Sequence, residues 1–399
     1  MAFDKPFAID LRNLLGEFPE EFFDKYWDRA YFYNMSRADN WFHSLFSVRD
    51  LDSVLCLTGQ GVAGGINVVR SENGNLNRWA PKNEAQYNIY ELYSAYAEGY
   101  TIIVNAMERR WPPIAALCQA LCERLTHPTG ANLYVTPPDA QGFLAHADDH
   151  DVFVLQIEGR KKWRIFAEGA KPQRKAGDDP GQVEVEFDLA EGDVLYIPQG
   201  RVHDARSVDV ASMHLTIGVS TFKWVDLLVE HLRGAASEHG LDRALPPGAL
   251  NRSEELSASA GDLMRRVAEG DLRSEALEKL RDRLRERTIP LPDGHFRSLD
   301  RLGALDPQTR LIRRTGIPPQ VFVKQDKAII EFDGNGVRAP VTMLPALQFI
   351  SERTSFCVAE LPDWLTDNAK LVLSRRLVKA GLLSVAEQQG GCHAEPETA

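Results

Sequence analysis

Between Leu51 and Thr221 the chain alternates short apolar runs with Gly, Pro and Asp. Ala131-Asn-Leu-Tyr-Val-Thr, Asp151-Val-Phe-Val-Leu-Gln and Lys162-Trp-Arg-Ile-Phe have the length of strands and are bounded by turn formers, so this region predicts a mainly β core. From Trp224 to about Arg287 the spacing changes, with Leu263, Val267, Leu272, Leu277, Leu280 and Leu284 recurring at helical intervals. Pro290 and Pro292 end that run. Beyond Thr309, strand patterns at Val321-Phe-Val and Ala328-Ile-Ile-Glu-Phe mix with a helical stretch from Ala369 to Ala380, and Asp333-Gly-Asn-Gly signals a hairpin. Phe22 and Tyr26, one helical turn apart, predict a helix leading into the β core. Ile114 to Leu125 predicts a helical insert ending near His127-Pro-Thr-Gly. The pattern divides the chain into 1–223, 224–300 and 301–386, with a tail from 387 to 399 expected to be disordered.

Composition adds few constraints. A chain of 399 residues that is 44% hydrophobic and 26% charged can bury a sizeable core. Its formal net charge of −11 argues against broad attraction to nucleic acid or anionic membrane, and it suits a basic protein or peptide partner. Local basic groups remain at Arg109-Arg110, Arg160-Lys161-Lys162 and Arg313-Arg314. No run approaches the roughly 18 apolar residues of a membrane helix, and Met1-Ala-Phe-Asp-Lys-Pro does not read as a leader, so a cytoplasmic protein is expected. Five cysteines without a CxxC pair point to a reducing compartment and to no zinc site.

The sharpest chemical signal is Gln141-Gly-Phe-Leu-Ala-His146-Ala147-Asp148, followed fifty-five residues later by His203 in Tyr196-Ile-Pro-Gln-Gly-Arg-Val-His. In an extended segment residues i and i+2 share a face, so His146 and Asp148 can point together into a barrel. Ala190-Glu-Gly-Asp193 and Pro198-Gln-Gly200 frame a short strand that delivers His203. Two imidazoles and one carboxylate on one face of a metal leave positions open, which suits a non-haem Fe(II) that must bind a cosubstrate and O₂ together. An HxD pair alone would carry little weight. His150 extends the alternation and competes as a ligand, but a turn after Asp148 is the better reading. The remaining histidines lack partner spacing and read as surface or packing residues.

From about Ala131 to Ser220 the chain resembles the JmjC-type cupins, and among them the ribosomal-oxygenase subgroup of Fe(II)/2-oxoglutarate enzymes. The resemblance rests on Asn132-Leu-Tyr-Val-Thr-Pro-Pro, Gln141-Gly-Phe, His146-Ala-Asp-Asp, Phe153-Val-Leu-Gln-Ile-Glu-Gly-Arg-Lys-Lys-Trp-Arg, Gly192-Asp-Val-Leu-Tyr-Ile-Pro and His214-Leu-Thr-Ile. It implies a double-stranded β-helix catalytic core over 1–223, a helical dimerisation segment over 224–300 and a winged-helix-like domain over 301–386. It further implies His146, Asp148 and His203 as catalytic iron ligands, with Lys161 for the distal carboxylate of 2-oxoglutarate. Asn132, Thr136 and His214 become further cosubstrate contacts. Strand parity does not choose between Lys161 and Lys162, because Glu158-Gly-Arg reads as a turn between them and His146; the resemblance chooses Lys161.

The implied activity is a 2-oxoglutarate-dependent dioxygenase that hydroxylates a His or Arg side chain of a ribosomal protein, as a homodimer. Two other enzymatic readings are tailoring of a natural-product precursor peptide and, less favoured, N-methyl-lysine demethylation. A reading of another class is a non-enzymatic cupin whose C-terminal region, with Lys370, Arg375, Arg376 and Lys379 on one helical stretch, binds protein or nucleic acid. Direct nucleic-acid binding is not expected of so acidic a chain.

Overall fold

The computed structural model describes residues 19–34, 41–58, 65–81, 88–268, 272, 274–288, 290–314 and 317–386. The tail expected to be disordered lies outside them. The chain forms two compact units. One contains residues 1–220, 289–316 and 352–399, and the other contains 221–288 and 317–351, so the expected segments 224–300 and 301–386 each contribute to both.

The first unit opens with helix α1 (Pro19–Lys25), followed by β1 (Phe32–Asn34), α2 (Val48–Thr58), β2 (Ile66–Glu72), β3 (Asn75–Arg78), α3 (Ile89–Ala97), β4 (Thr101–Val104) and α4 (Pro112–Leu125). Then come β5 (Thr129–Thr136), β6 (Asp151–Phe166), β7 (Val183–Ala190), β8 (Val194–Ile197), β9 (His203–Arg206) and β10 (Ser212–Val219). These ten strands form one antiparallel system in the order β1-β8-β6-β10-β5-β4-β2-β3, with β7 and β9 on β6. The N-terminal half of β6 pairs with β8 and β10, and its C-terminal half with β7 and β9. This is a cupin-type barrel, as expected.

Both faces of β6 are buried, which explains its nearly unbroken apolar run. Phe153, Leu155 and Ile157 join an outer core with Ile114, Leu117 and Leu121 of α4, whereas Val152, Val154, Trp163 and Ile165 pack together inside. The predicted N-terminal helix forms, and its Phe22 ring meets Tyr196 edge-on at 4.9 Å. Pro112 and Pro113 start α4, and Thr126 in the left-handed region ends it, close to the predicted stop.

One expectation is corrected. Glu158-Gly159-Arg160 is not a turn between two strands but lies inside a single strand of 16 residues, just after a bulge that leaves Ile157 without a partner in the β10 register. Gly159 has φ +66°, and a Cβ there would stand 1.9 Å from the Ala211 carbonyl oxygen, so only glycine fits. The inserted residue reverses the alternation: Val152 and Val154 face inward before it, and Lys161 and Trp163 after it.

Beyond the barrel the chain runs through α5 (Trp224–His239), α6 (Ser253–Ala268), α7 (Ser274–Arg287), α8 (Phe296–Asp300), β11 (Arg310–Arg313), β12 (Gln320–Lys324), β13 (Lys327–Phe332), β14 (Asn335–Pro340), α9 (Leu344–Glu352), β15 (Ser355–Cys357), α10 (Asp367–Ala380) and β16 (Leu383–Val385). In the second unit, α5 packs on α6 and α7, and β12-β13-β14 form a meander whose second turn is the predicted Asp333-Gly334 hairpin. In the first unit, β15-β11-β16 make a small sheet against α10. Among the described residues no helix is long and apolar enough to cross a membrane.

Gly159→Ala should destabilise the first unit by about 2 kcal/mol or more, since it adds both a left-handed backbone and a backbone clash. Urea denaturation followed by tryptophan fluorescence measures this; an unchanged midpoint would remove the bulge from the explanation.

Candidate metal centre

His146 and His203 face each other across an antiparallel bridge in which each backbone N–H donates to the other's carbonyl, at 2.9 and 2.8 Å. Each imidazole Nδ1 lies 2.9 Å from a carbonyl two residues earlier, Leu144 for His146 and Arg201 for His203. A carbonyl only accepts, so Nδ1 carries the proton and Nε2 keeps its lone pair for a metal. Asp148 lies between them, its carboxylate 3.9 Å from His146 Nε2 and 3.6 Å from His203 Nε2. The three residues offer ligand atoms all within 4.8 Å of one another. Burial pushes His203 down to about 4, with His146 adding to the shift and Asp148 opposing it, which keeps the imidazole neutral.

The loop geometry follows from the motif residues. The Asp148 carbonyl accepts the Gly200 N–H at 2.9 Å, and Asp151 Oδ1 accepts the Gln199 N–H at 2.7 Å, so the Pro198-Gln-Gly turn is tied to the His146–Asp148 segment. Gly200, at φ +77°, allows that turn. Arg164 Nε donates to Asp204 Oδ1 at 2.8 Å, which fixes β9 to β6 beside His203.

A small recess of about 50 Å³ opens next to the triad, lined among others by Thr101, Tyr134, Phe143, Lys161, Trp163 and His214. Lys161 is 4% exposed, and its Nζ donates to Thr136 Oγ1 at 2.9 Å, while Thr101 Oγ1 donates to the same oxygen at 3.2 Å. No carboxylate among the described residues pairs with Lys161, and burial pushes its pKa down to about 7. Lys162 faces the other way and pairs with Glu186 and Asp188 at 3.3 and 3.5 Å. His214 stacks on Tyr134 and meets Trp163 edge-on, yet its Nδ1 and the Trp163 Nε1 are buried without a hydrogen-bond partner. Its pKa falls well below the usual imidazole value, through burial first and Lys161 second. Leaving such groups unpaired costs about 1–3 kcal/mol each. A cation with one bond for three donors, beside two orphaned ring nitrogens, therefore fits a small anionic ligand that also reaches the metal position.

The structure brings His146, Asp148, His203, Lys161 and His214 to one recess, with Thr136 behind Lys161. Asn132 shares the inward face of β5 with Tyr134 but does not line the recess; its Oδ1 accepts the N–H of Ala106, a residue at φ +54°. His150 bonds Asp149 through Nδ1 at 2.8 Å and stands outside the ligand set. Sequence reasoning missed Thr101, Tyr134 and Trp163 as lining residues. The two-residue alternation from Thr136 predicts Tyr134, but Trp163 depends on the bulge and Thr101 on the β4–β5 pairing.

Barrel, bridge and triad define the class. Residues 108–227 match the JmjC domain family. The chain's similarity lies with ribosomal oxygenases. It is 31% identical over 222 residues to ribosomal oxygenase 1 of Homo sapiens, covering 53% of this chain and 34% of that protein. It is 30% identical over 235 residues to the bifunctional lysine-specific demethylase and histidyl-hydroxylase NO66 of Drosophila mojavensis, covering 57% and 26%. The chain thus spans about a quarter to a third of the length of these curated relatives. Among solved structures, the Escherichia coli ribosomal oxygenase YcfD matches 93% of this chain and 99% of its own, with TM-score 0.57 and 19% identity. A further YcfD structure holds cobalt and 2-oxoglutarate (TM-score 0.55, 18% identity, 94% and 99% covered). At these identities YcfD supports the shared fold.

His203→Ala should weaken Co(II) or Mn(II) binding by more than about 100-fold, while Lys161→Ala leaves it within about threefold. Isothermal titration decides between this and a triad that holds no metal.

Proposed function

We propose that this chain is an Fe(II)- and 2-oxoglutarate-dependent protein hydroxylase acting on a His or Arg side chain of a ribosomal protein. The observation that carries the reading is the recess itself: two Nε2 atoms and a carboxylate at one end, and a buried cation without a carboxylate partner at the other. His146, Asp148 and His203 would hold the iron, and Lys161, braced by Thr136, would take the distal carboxylate of 2-oxoglutarate. Iron with 2-oxoglutarate and O₂ supplies the oxidising equivalent that inserts oxygen into an unactivated C–H bond. The protein residues do the rest. Backbone bonds to Nδ1 keep both imidazoles in the metal-binding tautomer, the Tyr134–His214 stack with Trp163 edge-on to it walls the recess, and Asn132 braces the loop at Ala106. The names of the relatives and the net charge of −11 support a basic ribosomal substrate.

We read the protein as a cytoplasmic homodimer, with α5–α7 as the dimerisation segment and the small sheet with α10 as part of a winged-helix-like region. Trp224, 81% exposed, shares one face of α5 with exposed Leu228, and Met264 and Leu277 are exposed on α6 and α7. Trp224→Glu should convert the dimer to monomer in sedimentation velocity; a wild-type monomer refutes the assignment.

Purified protein with Fe(II), 2-oxoglutarate and ribosomal proteins should release succinate and yield a peptide heavier by one oxygen atom, and His146→Ala should abolish both. Loss of a methyl group from methyl-lysine peptides instead would replace hydroxylation by demethylation. In the cosubstrate-free protein Lys161 is a cation only below about pH 7, and an anionic ligand needs that cation. The KM for 2-oxoglutarate should therefore rise about tenfold per unit above pH 7, whereas Lys161→Ala should raise it by about 100-fold and flatten the profile.

A further inference from the structure

We propose that α10 and the Leu302-Gly303 turn form a second binding site, for single-stranded nucleic acid, that holds backbone phosphates through Arg375, Arg376 and Lys379. These three side chains, at i, i+1 and i+4 of one helix, line a single recess with Leu302 and Gly303. Arg375 Nε donates to the Leu302 carbonyl at 2.9 Å, which anchors the guanidinium against the turn and leaves further donors for an anion. Neither Arg376 nor Lys379 has an ion-pair partner among the described residues, although the chain carries 57 Asp and Glu against 46 Lys and Arg. Like charges one helical turn apart repel. The helix dipole favours Lys379 in the last turn, but its effect has faded at Arg375 and Arg376. An external anion accounts for all three.

The surroundings favour a polyanion. The segments 289–316 and 352–399 that build this part of the first unit hold ten Lys and Arg against ten Asp and Glu, so the acidic excess of the chain as a whole does not extend to them. Lys370, grouped with these cations by sequence, is withdrawn from them: it is buried and donates to the Ala359 carbonyl at 2.7 Å. The Nε2 of His295 lies 2.9 Å from the Val378 carbonyl, directly before Lys379, and the residue after His295 is Phe296, 82% exposed. Cations on a helix with an accessible aromatic next to them match the way single strands are held, by phosphate contacts and by stacking of unpaired bases. The local charge outweighs the expectation from net charge, because screening confines the field of distant acids to about 10 Å at ordinary salt. The site shares no residue with the metal recess, so it stands apart from the hydroxylase reading.

Fluorescence anisotropy of the full chain with a short, labelled, mixed-sequence single strand, as RNA and as DNA, tests this. Binding should weaken with salt at a log–log slope of about −2, as three phosphate contacts require. Arg376→Glu with Lys379→Glu should reduce affinity more than about tenfold, and Phe296→Ala several-fold. Lys324→Glu with Lys327→Glu, exposed cations on the β12–β13 hairpin, should change nothing. All the changed side chains are exposed, so unchanged thermal melts will show that the variants fold. Absence of binding by the wild-type chain at low salt, or equal losses in both charge-reversed pairs, overturns the proposal. So does capture of a poly-glutamate peptide through Arg376 and Lys379 when neither strand binds, which would make the site a docking point for an acidic protein.

Discussion

A one-residue bulge in β6, at Ile157, which has no partner in the β10 register, sets the inner surface of the barrel. Because β6 passes through it without stopping, one strand of 16 residues can pair with β8 and β10 at one end and with β7 and β9 at the other. The same bulge changes which residues face inward, so that Lys161 and Trp163 enter the recess while Lys162 stays on the outside with its acidic partners. Without that reversal the recess would hold the wrong lysine.

The metal end depends on a different device. The reciprocal backbone bonds of His146 and His203 hold two segments that are distant in sequence at a fixed separation, and the Nδ1 bonds then set both tautomers. These are main-chain contacts, so the ligand geometry depends little on neighbouring side chains. The other end of the recess is built from side chains and is incompletely satisfied: Lys161, His214 and Trp163 are buried with more hydrogen-bonding capacity than the protein fills. Polar groups left in this way weaken the fold, and binding sites are where proteins retain them.

The two units differ in how their apolar residues are used. In the barrel both faces of β6 are covered, one by the recess and one by α4 and the N-terminal aromatic residues. On α6 and α7 the periodic apolar positions that predicted the helices are only partly buried; Val267 and Leu284 are covered and Leu277 is not, while Leu272 falls between the two helices. Periodicity showed that these segments are helices, and burial shows that the chain alone does not cover them.

Read by itself, the sequence determined the strands of the core, the N-terminal helix, the α4 insert, the helical middle and the Asp333-Gly334 hairpin. All of these are local, written in alternation, capping and turn residues. It also determined the triad, since His146 and Asp148 two apart and His203 behind Pro198-Gln-Gly200 each carry their own backbone signature. Tertiary structure alone decided the rest. From the sequence, a turn at Glu158-Gly159-Arg160 cannot be told from a continuous strand bulged at Ile157, because either accommodates a glycine with positive φ at 159 and only the partner strand, here β10, fixes the register. Thr101, Trp163 and the unpaired His214 joined the site because strands far apart in sequence close into a barrel, and burial, which removes a side chain's alternatives to its neighbours, exists only after that closure.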